Sequence, residues 1–282
     1  GILFASDVFG GCTLGGGNAT YNEVIIENGA GLGNNIEGYG GFSANGNATN
    51  NTITLNGTHP SMAGFAYLSG GRSGNAGADV TTGNTLQIKN KNNGAYAISN
   101  FEKMRFVLDS SVASGDTMLS VAEQNDWHWG ANARPQTFDW SNIEVENAAT
   151  WGTGAGVEKR VILYKGDPAH AGLTLNNYSI TSTMHTAGDF EYGLSTDTTT
   201  PTASTVSATQ IYFDRNRFQN GNEEITSAGT GIRYAGTSMM GNTTTKNKLK
   251  LSGTFTWPND VMGGYTQSQV GDSTYNELIL AN

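Results

Sequence analysis

Val8-Phe9-Gly10-Gly11-Cys12, then Gly17-Asn18-Ala19-Thr20, then Asn22-Glu23-Val24-Ile25-Ile26-Glu27-Asn28 is the stretch that decides the fold, because it comes back. Its next copy is Tyr39-Gly40-Gly41-Phe42, Gly46-Asn47-Ala48-Thr49 and Asn51-Thr52-Ile53-Thr54-Leu55-Asn56. A third runs from Leu68-Ser69-Gly70-Gly71-Arg72 to Asn84-Thr85-Leu86-Gln87-Ile88-Lys89-Asn90, so the glycine pairs start at 10, 40 and 70. Far along the chain Val261-Met262-Gly263-Gly264-Tyr265 leads to Asn276-Glu277-Leu278-Ile279-Leu280. A degenerate copy, Met239-Met240-Gly241 and Asn247-Lys248-Leu249-Lys250-Leu251, precedes it. Self-similarity at a fixed period is the signature of a repeat architecture.

Each unit holds a strand, a Gly/Asn turn and a second strand reading Asn-x-φ-x-φ, the period-two pattern of a strand with one buried face. The asparagine suits either a left-handed corner or a side-chain amide ladder stacked on the next unit. The glycine pairs are expected to turn the backbone sharply without a Cβ clash. Neither strand can bury its apolar face alone, so the units must stack. Thirty residues suit one coil of a three-faced parallel β-helix, an all-β solenoid; a sandwich or propeller is the competing arrangement. Residues 1–282 would form a single β-helix of roughly nine coils at ~4.8 Å spacing. Regular coils occupy 1–95 and 239–282, and irregular coils with projecting loops occupy 96–238. The strands expected in that middle include Met104-Arg105-Phe106-Val107, Val161-Ile162-Leu163-Tyr164 and Ile211-Tyr212-Phe213. The opening Gly1-Ile2-Leu3 and the final Asn282 read as cut points in something longer.

Composition narrows the function classes. Charged residues are only 14%, so amides, hydroxyls and glycines carry solubility, and the net charge is −9. With no basic stripe, a nucleic-acid partner is not expected. No apolar run approaches the roughly 18 residues that span a bilayer, so membrane insertion is not expected in this segment. The single cysteine, Cys12, forms no intrachain disulfide and reads as a small packed or surface residue.

The combination of φ-φ-Gly-Gly-φ, Gly-Asn-Ala-Thr-x-Asn-x-φ-x-φ, Asn100-Phe101-Glu102 and Gly115-Asp116-Thr117-Met118-Leu119 resembles the passenger regions of bacterial autotransporters. The resemblance is weak between about 125 and 240. It implies a right-handed single-stranded β-helix, exported through a C-terminal outer-membrane barrel that would lie further along the parent chain. It implies an extracellular or cell-surface location, and a non-enzymatic role in adhesion or as a structural stalk. The partner would be a glycan or protein receptor of a host surface or matrix. The motifs specify architecture, so the resemblance supplies no catalytic residue.

The search for chemistry agrees with a non-enzyme. Gly271-Asp272-Ser273 is followed by Thr274, not by the glycine of a serine-protease nucleophile turn. The histidines His59, His128, His170 and His185 are scattered without ligand spacing, so no metal or cofactor is expected. Gly74-Asn75-Ala76-Gly77-Ala78-Asp79 partly matches a calcium-binding repeat, but such sites work only in tandem, which leaves a plain loop. The local anomaly is aromatic: Trp127, Trp129, Trp140 and Trp151 crowd one region. Trp127, Trp129, Arg134 and Trp140 form the candidate binding surface, since exposed Trp and Arg are typical anchors. The plainer alternative is that these rings bury their area in packing. A second function class, a polysaccharide-binding or -cleaving β-helix, would need Asp126, Asp139 or Glu144 clustered with another carboxylate.

Overall fold

The computed structural model describes residues 2–4, 6–33, 36–60, 66–123, 136–151, 159–168, 172–179, 185–187, 190–197, 203–217, 222–228, 233–238, 244–245, 248–254, 256, 261–266, 273–274 and 277–281. These are all-β, with a 3-10 turn at Trp140–Asn142. They divide into two compact units, one built from 1–153, 160–179 and 196–213, the other from 154–159, 180–195 and 214–282.

In the first unit the repeat becomes parallel ladders. One ladder stacks Glu23–Glu27, Thr52–Asn56, Thr85–Ile88, Lys103–Val107 and Ile143–Glu146, each strand parallel to the next. Register places Val24, Ile53, Leu86, Met104 and Ile143 in one row, and Ile26, Leu55, Ile88 and Phe106 in another. All nine side chains are buried. Full burial of one such side chain stabilises by about 1.5–3 kcal/mol, so the two rows form the spine of this ladder. A second ladder stacks Val8–Phe9 and Cys12–Thr13 on Glu37–Ser43, then Tyr67–Ser73, then Ala97–Ser99. A third set pairs Ile2–Phe4 with Ala30–Leu32, and Asn93–Ala95 with Thr117–Val121 and Lys159–Gly166. His59 bridges the two parts of this third set. Its ring nitrogens lie 2.8 Å from the Ala30 carbonyl and 3.1 Å from that of Ile26, and its own carbonyl accepts from Gly94 N–H. Between 2 and 121 the described strands thus fall into the three sets, with His59 in the stretch between Thr52–Asn56 and Tyr67–Ser73; Ile143–Glu146 joins the first ladder, whereas Thr137–Asp139 pairs with Leu173–Asn176 in a separate sheet.

The corners explain the asparagines and glycines. Asn51 Oδ1 accepts from Asn22 N and Nδ2 at 3.0 and 2.9 Å, and Asn84 Oδ1 accepts from Asn51 N and Nδ2 at 2.8 and 3.2 Å. The amide ladder is therefore the form the repeat uses. The left-handed corner falls one residue earlier, at Tyr21, Asn50 and Gly83. Gly10-Gly11 bends the chain between Val8–Phe9 and Cys12–Thr13, whereas Gly40-Gly41 and Gly70-Gly71 lie inside strands. A Cβ on Gly40 would sit 2.8 Å from Asn51 Cβ, and one on Gly71 would sit 2.1 Å from the Ala48 carbonyl. The pairs thus keep room for the buried amide that stacks beside them.

The second unit also holds parallel strand pairs. Asn222–Ile225, Lys248–Ser252 and Glu277–Ala281 are parallel, as are Arg233–Ser238 with Val261–Thr266 and Thr244–Thr245 with Ser273–Thr274. Gly236 registers with Gly264, and Leu249 is fully buried. An antiparallel pair, His185–Ala187 with Phe190–Thr196, completes it.

Candidate functional site

Strand alternation in the second ladder decides which side chains leave the core. A Cβ on Gly38 would meet the Leu32 and Leu68 side chains, so Gly38 faces inward and its neighbours Glu37 and Tyr39 face outward. Gly41 faces inward as well, toward Asn51 and the Ala19 carbonyl. The alternation slips there by one residue and turns Phe42 outward. In-register stacking then brings Phe9 beside Tyr39 and Phe42 beside Arg72.

The result is an aromatic–arginine cluster. Phe9 stacks on Tyr39 with ring centroids 5.2 Å apart and planes 9° from parallel, and meets Phe42 edge-on at 5.6 Å. The Arg72 guanidinium lies 5.4 Å from the Tyr39 ring centroid. Its Nη1 donates to the Tyr39 hydroxyl and to Glu37 Oε2, the latter at 2.8 Å. Tyr39 is wholly buried under its neighbours, whereas Phe9 is 40% exposed. Arg72 Nη2 and Nε have no partner among the described residues, which leaves one edge of a rigid planar donor available. The site therefore offers a flat apolar ring for stacking beside N–H groups for an oxygen ligand. Tyr67, opposite Glu37 in the same ladder, packs against Tyr96 with ring centroids 5.1 Å apart.

No protein family, no curated protein and no solved structure matches the chain.

The expected tryptophan surface falls differently. Trp127, Trp129 and Arg134 lie outside the described residues, as does Asp126. Trp140 is fully buried, packed edge-on against Tyr178 at 4.9 Å, and so belongs to the core and not to a binding surface. Trp151 is also buried: its Nε1 donates to the Val112 carbonyl at 2.8 Å and its ring meets Phe213. A tryptophan gains most by burying its large ring area, and this outweighs the surface role that local crowding suggested.

The carboxylates named with that segment serve structure. Asp139 Oδ1 accepts from Ser141 N and Oγ at 3.0 and 2.6 Å, and Oδ2 accepts from Asn177. These bonds hold its carboxyl below the usual carboxylate range. Glu144 and Glu146 both pair with Arg105, at 2.8 and 3.5 Å, and a carboxylate so engaged is not a free acid or base. Among the described residues no group of three or more His, Cys, Asp or Glu could hold a metal. Asp79 caps its own loop, accepting from Thr81 and Thr82 N–H at 3.0 Å each. Cys12 is an exposed free thiol.

Proposed function

We propose that this chain is a segment of a right-handed, single-stranded parallel β-helix that works without catalysis in adhesion, outside the cell or at a bacterial surface. The support for the helix is the rotation of successive strands through three parallel sets, and parallel crossovers are right-handed in nearly all folds. The cell-surface origin rests on the resemblance of the repeat motifs to autotransporter passengers.

The observation that carries the binding role is the outward cluster of Phe9, Phe42 and Arg72. Exposed aromatic and arginine side chains are the typical anchors of a recognition surface. The partner it suits is a glycan or protein of a host surface or matrix. A sugar ring stacks its C–H face on Phe9 while a hydroxyl or carboxylate accepts from Arg72. A peptide aromatic or carboxylate would use the same two groups.

The test is an array of glycans and matrix proteins probed with the purified chain beside a Phe9→Ala/Arg72→Gln variant. Far-ultraviolet circular dichroism shows that the variant keeps its strands. A ligand bound by the parent and weakened about tenfold or more in the folded variant, a loss of about 1.4 kcal/mol, fits adhesion through this cluster. Equal binding by both would remove the cluster from the role. No binding by either would leave the segment a stalk, and turnover of any polysaccharide or peptide would overturn the non-enzymatic reading.

A further inference from the structure

We propose that the free edge of Arg72 recognises a carboxylate carried on a saccharide, that is, a uronic-acid unit; the inference rests on the adhesive reading and names the ligand class of its cluster. Arg72 Nη1 is committed to the Tyr39 hydroxyl and to Glu37 Oε2, which fixes the guanidinium plane. Nε and Nη2 share the other edge, and neither has a partner among the described residues. The side chain is 38% exposed. Arg72 stands inside its ladder, with Glu37–Ser43 stacked on one side and Ala97–Ser99 on the other. The opening is made there. Ala97–Ser99 covers Tyr67, Leu68 and Ser69 and then stops, so among the described residues no strand position registers over Arg72 on that side.

Arg105 shows what this fold puts against such an edge. Its Nε and Nη2 both donate to Glu144 Oε2 of the next strand, at 2.9 and 2.8 Å, and its side chain is also 38% exposed. Arg72 presents the same two donors at the same exposure, with no carboxylate of the described residues against them. That edge of a guanidinium matches the two oxygens of a carboxylate, and such charge-assisted bonds are roughly twice as strong as neutral ones. Glu37 already balances the Arg72 charge and the whole chain carries −9, so the cluster has no general attraction for anions. Selection therefore comes from the directed N–H groups. Phe42 decides what carries the carboxylate. It registers directly opposite Arg72 and is half-buried. Neighbouring strands lie about 4.7–4.9 Å apart, close to the width of one sugar ring. A ring bridging the two sets its C–H face on Phe42 and its carboxylate on Arg72. A peptide carboxylate would arrive on a flexible stem and lose rotamer freedom on binding, whereas a uronate carboxylate is already fixed to its ring.

The test is isothermal titration calorimetry of the full chain with two acidic oligosaccharides, one of galacturonic acid and one of alternating glucuronic acid and N-acetylglucosamine. Each is run beside its carboxyl-methyl ester, and the peptide Gly-Glu-Gly-Glu-Gly is the competing source of carboxylate. At least one acidic oligosaccharide should bind the parent about tenfold more tightly than its ester and than the peptide. Arg72→Lys keeps the charge but removes the planar edge, and should cut that preference to about threefold or less. Arg105→Gln, at an edge already filled by Glu144, should leave the preference unchanged. Four results would each overturn the proposal: acid and ester bound alike, a preference that survives Arg72→Lys, a peptide bound as tightly as the sugar, or no acidic sugar bound at millimolar concentration. If acid and ester bind alike and both are lost in the Phe9→Ala/Arg72→Gln variant, the acidic ligand falls while adhesion through the cluster stands.

Discussion

Asn51 shows how one side chain specifies a corner. It accepts from Asn22 N and Nδ2, and its own Nδ2 donates to the Ala19 carbonyl at 3.0 Å and to Asn84 Oδ1 at 3.2 Å. Replacing it by alanine leaves buried partners on both sides unsatisfied, each at about 1–3 kcal/mol. Asn51→Ala should therefore lower the unfolding free energy by about 2–4 kcal/mol, read from a denaturant melt. Aspartate at the same place should be no better, since it lacks the donor. The glycines beside the ladder divide just as sharply. Gly71→Ala sets a Cβ 2.1 Å from the Ala48 carbonyl and 2.7 Å from that of Val80, both backbone, and should cost about 1–3 kcal/mol. Gly15→Ala meets nothing within 4 Å and should leave the melt within about half a kcal/mol of the parent. Tyr21 is the exception to the corner rule. It holds a left-handed φ of 58° where the neighbouring corners use Asn50 and Gly83, and it is 81% exposed. Tyr21→Asn should raise stability by about 1 kcal/mol, the order of the cost of that conformation for an ordinary residue. The Asn-x-φ-x-φ pattern was legible because period two shows in any single copy. The inward setting of the glycine pairs was not, because the clash they avoid comes from an asparagine ten to fourteen places further along and from the neighbouring copies.

Among the elements, the segment joining the Asn93–Ala95 and Thr117–Val121 strands to their neighbours is held by a charge. Asp116 Oδ2 accepts from Lys91 Nζ at 2.8 Å and from Ala113 N–H at 2.7 Å. Burial opposes its ionisation, but the Lys91 and Ala113 bonds prevail and hold its carboxyl below the ordinary range. A carboxyl depressed in the folded chain adds stability that is full above the unfolded value of about 3.9. That stability is lost as the pH falls from there through the folded value. Melts taken between pH 6 and 2 should thus show a falling stability, and Asp116→Asn should be less stable at pH 6 and lose part of the acid dependence. Asp79, drawn down by Thr82 and Thr81 against its own burial, adds a slope of the same sign in the loop before Asn84. By contrast the exposed Lys103, Arg105, Glu144 and Glu146 row should contribute little to folding, since exposed pairs are worth about 0–1 kcal/mol each. Element by element, the strands were legible from their apolar alternation. The aromatic–arginine cluster was not: Phe9, Tyr39, Phe42 and Arg72 are separated by about one repeat, and only register makes them neighbours. The tryptophan segment misled for the converse reason. Nearness in sequence says nothing about which way a ring points, and Trp140 and Trp151 point into packing.

Across the first unit, stacked ladders make stability a sum of each strand's own terms and those with its two neighbours. A strand paired on both sides opens only when two interfaces break, whereas a strand at the end of a ladder opens at the cost of one. Thr52–Asn56 and Thr85–Ile88 are paired on both sides, with Ile53, Leu55, Leu86 and Ile88 wholly buried. Glu23–Glu27 has one described partner, and between its buried Val24 and Ile26 stands Ile25, half exposed. Native-state hydrogen exchange should rank them accordingly. Hydrogen-bonded amides of Thr52–Asn56 and Thr85–Ile88 should exchange near the global unfolding limit, and those of Glu23–Glu27 through a cheaper local opening. Leu55→Ala sharpens the test. It removes the middle of the Ile26, Leu55, Ile88 and Phe106 row and should cost about 2–5 kcal/mol globally. In a solenoid the loss is felt most by the strands that stack directly on position 55, so Glu23–Glu27 and Thr85–Ile88 should lose more protection than Ile143–Glu146. A globular core sharing one cavity would instead lower protection in all five strands together, and that uniform result would count against the β-helix.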